Sequence, residues 1–416
     1  MEDARTMLDN RLSRDRDEMV QVCQDLVRIP TETPPGDTRE AFRFLGAYMD
    51  GKGVSYETAA YEPTMPNLVA SFAGGAGPGP HLVLNAHIDV FPAGDPSRWS
   101  EAPYSGALRD GKLFGRGITD MKVGAVASLL AYVYLAELRE RLRGRLTLTL
   151  VSDEERFGPF GARALLDHRP DVVGDCLLNG EPSTPGVVRF GERGLLWCEI
   201  RTMAKGGHGG YDQPNAIRVM TAIFTELDAL TAIEAPTPAE VRRRIDAARA
   251  LFNEHLGPRA SDIATAVTVN LGRIEGGLKV NMAAEACRAE IDIRCPIGLT
   301  TGALLERVDD IVRRHPGASY TVIARWEPNY SDPDHPMVRI IQRNAERVRG
   351  IRPLPGISLG CTDTRLWRYK GVPAIVYGPT PYNMGAQDEY VALDDLFGTI
   401  GVHVLSAYDY LTGAVE

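Results

Sequence analysis

Three apolar, strand-like runs in the first half of the chain each lead into residues that can ligate a metal or move a proton. Leu82-Val83-Leu84-Asn85-Ala86 runs into His87-Ile88-Asp89. Leu146, Leu148 and Leu150 alternate with threonines and run into Asp153-Glu154-Glu155. Cys176-Leu177-Leu178 runs into Asn179-Gly180-Glu181. Between the first two runs lies Gly115-Arg116-Gly117-Ile118-Thr119-Asp120-Met121-Lys122, followed by an uncharged, mainly apolar stretch at 123–136. Alternation with period two marks half-buried strands, and a long apolar stretch after a turn marks a buried helix. Strands alternating with helices predict an α/β layer fold. Such folds bind their ligands at strand ends. One imidazole and several carboxylates delivered to one sheet edge are what a divalent metal needs.

The rest of the chain separates into two patterns. Helices are expected at 17–28, 41–52 and 121–138, with another starting at 161, and strands at 67–72, 81–86 and 145–152. The character changes near Gly191. Strands at 194–203, 264–274, 279–283 and 286–295, with helices at 215–230, 236–256 and 300–314, form an α+β block of about 120 residues, the size of one ordinary domain. The chain then returns to its first pattern and ends in a helix at 393–412. The expected domains are therefore 1–190 with 315–416, and 191–314.

Composition narrows the classes of function. A chain of 416 residues is long for one core. A net charge of −9, with no long basic run, argues against a general binder of nucleic acid or anionic membranes. Arg242-Arg243-Arg244 stands between Glu240 and Asp246 and reads as a solvated helix face. The cysteines, six in all, form no Cys-x-x-Cys pair and suggest thiols in a reducing compartment. Residues 1–19 are densely charged without an apolar signal core. The 123–136 run is too short to span a bilayer. A cytoplasmic protein without membrane attachment is expected.

Each chemical residue also has a bland reading. His87 and Asp89 share a strand face, so the carboxylate can fix the ring tautomer of a metal-bound imidazole; a partly buried His with a solvent-facing Asp is the alternative. Asp120 follows a glycine-rich turn that permits close approach to a ligand. Glu154 and Glu155 point in different directions, so one can bind metal while the other faces a water; otherwise they form an exposed acidic loop. Glu181 is a ligand or a surface-turn residue. His208 sits in Gly206-Gly207-His208-Gly209-Gly210, a mobile functional loop or merely a flexible one. Asn281 and Arg294 can donate to an oxyanion and to a substrate carboxylate respectively, or serve as ordinary polar sheet residues. Joint occurrence favours the functional reading: four such sites fall in one α/β unit, most of them at strand ends.

Together these residues resemble the metallopeptidase and amidohydrolase family M20, which includes acetylornithine deacetylase and succinyl-diaminopimelate desuccinylase. The resemblance runs from Leu26-Val27-Arg28-Ile29-Pro30 to Asp388-Glu389-Tyr390-Val391. The His-x-Asp strand, Gly-Arg-Gly-x-x-Asp-Met-Lys, Asp-Glu-Glu and the Gly-His loop come in family order. It implies a catalytic α/β domain, with a central mostly parallel sheet and helices on both faces, and an inserted α+β lid that usually dimerises. It implies that His87, Asp120 and Glu181 surround one metal and that Asp120 bridges to a second metal held by Glu155. Glu154 would be the general base, with Asp89 beside His87 in the catalytic set. His208 and Asn281 would come from the lid, often reaching the partner subunit's site, and Arg294 would bind a substrate carboxylate.

One departure stands out. The family pattern His-x-x-Asp-Glu places an imidazole on the second metal, and here that position is Gly385. His403 lies on an expected helix and reads as structural. One tightly bound metal per chain is therefore expected. The oxygen-rich ligand set lowers the preference for zinc and leaves manganese or cobalt as candidates. The expected activity is metal-dependent hydrolysis of a C–N bond, the amide of an N-acyl amino acid or small peptide-like substrate carrying a carboxylate, by a homodimer. The alternatives are hydrolytic deamination of a non-peptide amine, aromatic amines included, and a non-catalytic metal- or substrate-binding relative.

Overall fold

The computed structural model describes residues 3–413. The chain divides into two compact units. The first comprises 1–190, 331–356 and 362–416, and the second 191–330 and 357–361.

The first unit is built on a mixed sheet. Its strand order begins Glu57–Ala60, Pro66–Ala73, Arg145–Val151, His81–His87, Cys176–Asn179, Ala374–Val376 and Val187–Glu192. The middle of the sheet is parallel, from Arg145–Val151 across to Ala374–Val376. Antiparallel pairs flank this core on both sides. Alternation along His81–His87 divides its residues between the two faces. Val83 joins Val151, Leu177 and Val69 in a core closed by Leu165 and Leu166 of helix Ala162–His168 and by Trp367 of helix Thr364–Tyr369. Leu82, Leu84 and Ala86 point the other way and are fully buried. Helix Val123–Glu137 packs against this strand and against helix Leu393–Thr412.

Val123–Glu137 is buried on every side from Val123 to Leu135, which explains its lack of a polar face. The segment Ile118–Glu137 is long and apolar enough to cross a membrane by length and composition, but 94% of that window is buried inside the protein. The cysteines are free thiols, and all but the half-buried Cys361 are buried.

The second unit holds an antiparallel sheet in the order Thr268–Gly276, Ala286–Cys295, Gly194–Met203 and Ala318–Trp326. Helices Ala216–Asp228 and Thr301–Arg313 supply Met220, Ile223, Leu304 and Val308 to its core. The expected return to the first unit at 315 moves to Ser331, because Ala318–Trp326 pairs with Gly194–Met203. The charged stretch expected as one helix at 236–256 is two, Ala239–Ala247 and Arg249–Leu256. Helices Ala4–Arg14 and Pro336–Arg349 escape the sequence pattern, as do the shorter Ala260–Ile263 and Thr364–Tyr369.

His403 is fully buried on the last helix, and its Nε2 donates to the Tyr377 carbonyl at 2.6 Å. Burial pushes this imidazole down to about 4. Below about pH 6.5 the unfolded chain therefore binds a proton that the folded chain refuses. Stability from this group is complete above that pH and drains away as pH falls toward 4. His403→Gln, which keeps a donor for Tyr377, should remove up to about 3 kcal/mol of the acid-side loss, at 1.36 kcal/mol per pKa unit. Denaturant titrations between pH 4 and 7 will test this. Parallel stability curves for the two proteins would show that His403 carries no such proton linkage.

Candidate active site

Strand order explains why groups distant in sequence meet. Arg145–Val151, His81–His87 and Cys176–Asn179 are neighbours and parallel, so their C-terminal ends share one edge. His87 ends its strand, Glu154 and Glu155 follow the second, and Glu181 follows the third. Asp120 comes from the turn before helix Val123–Glu137. That helix starts directly on the backbone preceding Glu181. A Cβ on Gly124 would lie 2.3 Å from the Gly180 carbonyl oxygen, and one on Gly180 would lie 2.4 Å from the Gly124 Cα. Only glycine at both positions permits this approach.

The His87 ring is buried and fixed at both nitrogens. Nδ1 donates to the Asp89 backbone carbonyl at 2.9 Å. Nε2 faces Asp120 Oδ1 at 3.1 Å and Glu181 Oε1 at 3.2 Å. The three ligand atoms lie within 4.8 Å of one another. With its proton on Nδ1, the neutral ring presents the Nε2 lone pair between two carboxylates, as a metal ligand must. The expected tautomer-fixing carboxylate is displaced, however. Asp89 Oδ1 stands 3.7 Å from Nδ1. Its oxygens instead accept from the backbone amides of Glu154 at 3.2 Å and Glu155 at 3.1 Å. Asp89 thus anchors the loop that carries both glutamates.

The electrostatics call for a cation. Burial, and then the nearby Asp120 charge, raise Glu181 to about 7. Burial holds Glu154 and Glu155 well above the usual carboxylate range, with Asp363 adding to the effect at Glu154 and Asp120 at Glu155. Burial alone would lower His87, but hydrogen bonds to Asp120 and Glu181 outweigh it and hold the imidazolium well above its ordinary value. A divalent ion between Nε2 and the two carboxylates would take that proton's place. Among the described residues, Glu154 Oε1 and Glu155 Oε1 are buried and accept no hydrogen bond. Glu154 Oε1 also lies 3.6 Å from the Arg365 guanidinium. The donor set therefore fits a hard or borderline divalent metal. Glu155 lies outside the three-atom cluster.

The other residues singled out from sequence lie in the second unit. His208 is exposed in the short strand Gly207–His208, paired with Met282–Ala283. Its Nδ1 accepts from the Gly210 amide at 3.1 Å, which leaves the proton on Nε2 and makes that atom a donor. The Gly209 amide donates to the Asn281 carbonyl at 2.8 Å, so His208 and Asn281 lie side by side. Arg294 lies on a different sheet, in strand Ala286–Cys295, and its Nε donates to Asp292 at 2.9 Å.

Several supporting residues were not evident from sequence. Asn179 Oδ1 accepts from the Glu181 amide at 2.8 Å, and Asn179 Nδ2 donates to Asn85 at 3.0 Å. Asn85 in turn donates to Thr149 at 3.2 Å. This buried polar ladder crosses the three strands that deliver the site, and its members pair in register. Asparagines inside apolar strand runs are the signal that could have revealed it, since buried amides need partners. Lys122, the last residue of the Asp-Met-Lys motif, is buried. Its Nζ donates to the Leu26 carbonyl at 3.1 Å and the Ile29 carbonyl at 2.9 Å, capping helix Arg16–Val27. Its role is structural.

Known proteins resemble this chain along nearly its whole length. The succinyl-diaminopimelate desuccinylase of Gluconacetobacter diazotrophicus is 29% identical over 395 residues, covering 92% of this chain and 94% of that relative. The M20 family metallo-carboxypeptidase Sso-CP2 from Sulfolobus solfataricus shares the fold, with a TM-score of 0.81 at 18% identity over 94% of this chain and 99% of that one. A Bacillus subtilis dinuclear metal-binding peptidase of the M20 family aligns with a TM-score of 0.62 at 14% identity, over 94% of this chain and 98% of the other. The model of peptidase family M20/M25/M40 matches residues 83–408, a span that contains every residue of the His87–Asp120–Glu181 cluster. The chain belongs to peptidase family M20/M25/M40 and is a metallohydrolase.

Proposed function

We propose that this enzyme hydrolyses the amide of an N-acyl amino acid or small peptide-like substrate, with one divalent metal held by His87, Asp120 and Glu181. One observation carries the reading: His87 Nε2 converges with two carboxylates while a buried glutamate, Glu154, stands beside them. The desuccinylase relative, which is similar over nearly its whole length, supports the N-acyl substrate class. When bound, the metal would polarise the scissile carbonyl and acidify a water. Glu154 takes the water's proton on its carboxylate and returns it to the leaving nitrogen. His208 Nε2–H donates to the developing oxyanion, assisted by Asn281. Arg294 binds a substrate carboxylate in a bidentate pair, sharing its charge with Asp292. We further propose a cytoplasmic homodimer joined through the second unit.

A second reading, hydrolytic deamination of a non-peptide amine, is favoured by Gly385. A Cβ there would meet only Phe91 Cδ2, at 3.8 Å, so space stands where family members carry an imidazole. Turnover of N-acyl amino acids, including an N-succinyl diamino acid, against aromatic amines scored by ammonia release separates the two. Release of ammonia without acyl cleavage would replace the first reading with the second.

Metal analysis should find one tightly bound ion per active chain, because a second ion beside Asp120 and Glu155 would lack a nitrogen ligand. Manganese or cobalt suits this oxygen-rich set better than zinc. Gly385→His should raise the content toward two, although φ of +74° at this position resists any side chain. Two tight ions in the unaltered protein would mean that another residue supplies the missing ligand.

A further inference from the structure

Asp120 rides on a turn that is not held by regular helical bonding. The backbone leaves helical geometry at Asp120, with φ −121° and ψ 92°, and at Met121, with φ −134° and ψ 42°. Beside its own backbone bonds, such as the Lys122 amide to the Gly117 carbonyl at 2.9 Å, the turn is tied to a residue far along the chain. Glu389 is 1% exposed, and each of its carboxylate oxygens accepts two hydrogen bonds. Oε1 accepts from the Thr119 amide at 3.0 Å and the Thr119 hydroxyl at 2.8 Å. Oε2 accepts from the Gly117 amide at 3.1 Å and from Arg116 Nη1 at 2.7 Å. The Glu389 carbonyl also accepts from the Gly115 amide at 2.9 Å. Arg116 closes the arrangement by donating through Nη2 to the Gly385 carbonyl at 3.2 Å.

We propose that Glu389 is a positioning residue for the metal site, holding the 115–119 turn so that Asp120 stays aimed at the position faced by His87 Nε2. The segment that lacks the family's imidazole at Gly385 thus serves the metal by bracing a ligand from the other side of the turn. The inference rests on His87, Asp120 and Glu181 being the ligands. Its chemistry is specific. Four donors converge on two oxygens, so both oxygens must be acceptors. A glutamine in either amide orientation would turn an NH2 group toward two donors, leaving buried N–H groups without acceptors. Glu389→Gln is therefore not conservative here.

The test is a Co2+ titration of the full-length, chelator-stripped protein followed by visible absorption, alongside thermal unfolding of each metal-free protein. Glu389→Gln should weaken Co2+ binding by about 10-fold or more, the range for lost outer-shell partners. It should also alter the Co2+ bands at saturation, which a purely structural residue would leave unchanged. Thr119→Val removes one of the four donors and keeps the carboxylate, and should weaken binding by a smaller factor of about 3. If Glu389→Gln does not fold, Thr119→Val decides alone. His87→Ala separates the two levels of the inference. Unchanged Co2+ binding in His87→Ala would overturn the ligand assignment itself. Loss of Co2+ in His87→Ala, with unaltered affinity and bands in Thr119→Val and in any folded Glu389→Gln, would overturn the positioning role alone.

Discussion

Glu154→Gln should lower turnover by about 10²-fold or more, the range for a lost general base, while leaving metal content near that of the unaltered protein. Glu154 is buried at the end of the Arg145–Val151 strand, and its Oε1 accepts no hydrogen bond among the described residues. Burial holds its carboxyl well above the usual range, as suits a group that must both take and return a proton. The three atoms that converge on one point come from other residues, so the ion has no need of Glu154. Glutamine preserves volume and polarity but cannot accept a proton. Steady-state kcat and metal-to-protein ratio, measured on the same preparation, test the assignment. Metal lost in proportion to activity would make Glu154 a ligand instead of a base.

His87→Ala should remove both metal and activity, beyond the about 10- to 100-fold that a lost outer-shell partner costs. His87 is the only nitrogen donor in the cluster, and its Nε2 lies between Asp120 and Glu181. Without it, buried Glu181 and half-buried Asp120 face each other with no imidazole between them, and the site loses the ligand best suited to a transition metal. The unaltered protein, stripped with a chelator and then given Mn2+, Co2+ or Zn2+, should recover activity with at least one of these ions. His87→Ala should recover with none. Full activity in a preparation verified to be metal-free would defeat the metal-dependent mechanism altogether.

The elements that carry the site were legible because their signals are local. Alternation in Leu146, Leu148 and Leu150 marks a strand whatever the strand pairs with, and the end of that strand is where Glu154 and Glu155 begin. The apolar stretch after Asp120 reads as a buried helix for the same reason, and the last helix, Leu393–Thr412, falls where its periodicity places it. Ala318–Trp326 is not legible because its exposed residues mask its alternation, and only pairing with Gly194–Met203 makes it a strand of the second unit. The His-x-Asp spacing suggests the Asp89 carboxylate as a partner for His87. Sequence spacing puts the two side chains on one face but says nothing of the Glu154 and Glu155 amides that compete for it.

The order of residues along the chain is enough to specify which residue types end the three strands, that Gly385 brings no imidazole, and that an α/β unit surrounds them. Those features depend on neighbours along the chain, where spacing and side-chain chemistry suffice. Tertiary structure alone decided that His81–His87 lies between Arg145–Val151 and Cys176–Asn179 with all three parallel, which turns three separate strand ends into one edge. It also decided that Asn85, Asn179 and Thr149 join in a ladder beneath Glu181, and that Glu389 reaches back to hold the turn carrying Asp120. Hydrogen bonds between residues far apart in the chain form only once strand order and register are set. Each buried amide and carboxylate must then find a partner within reach of the folded backbone.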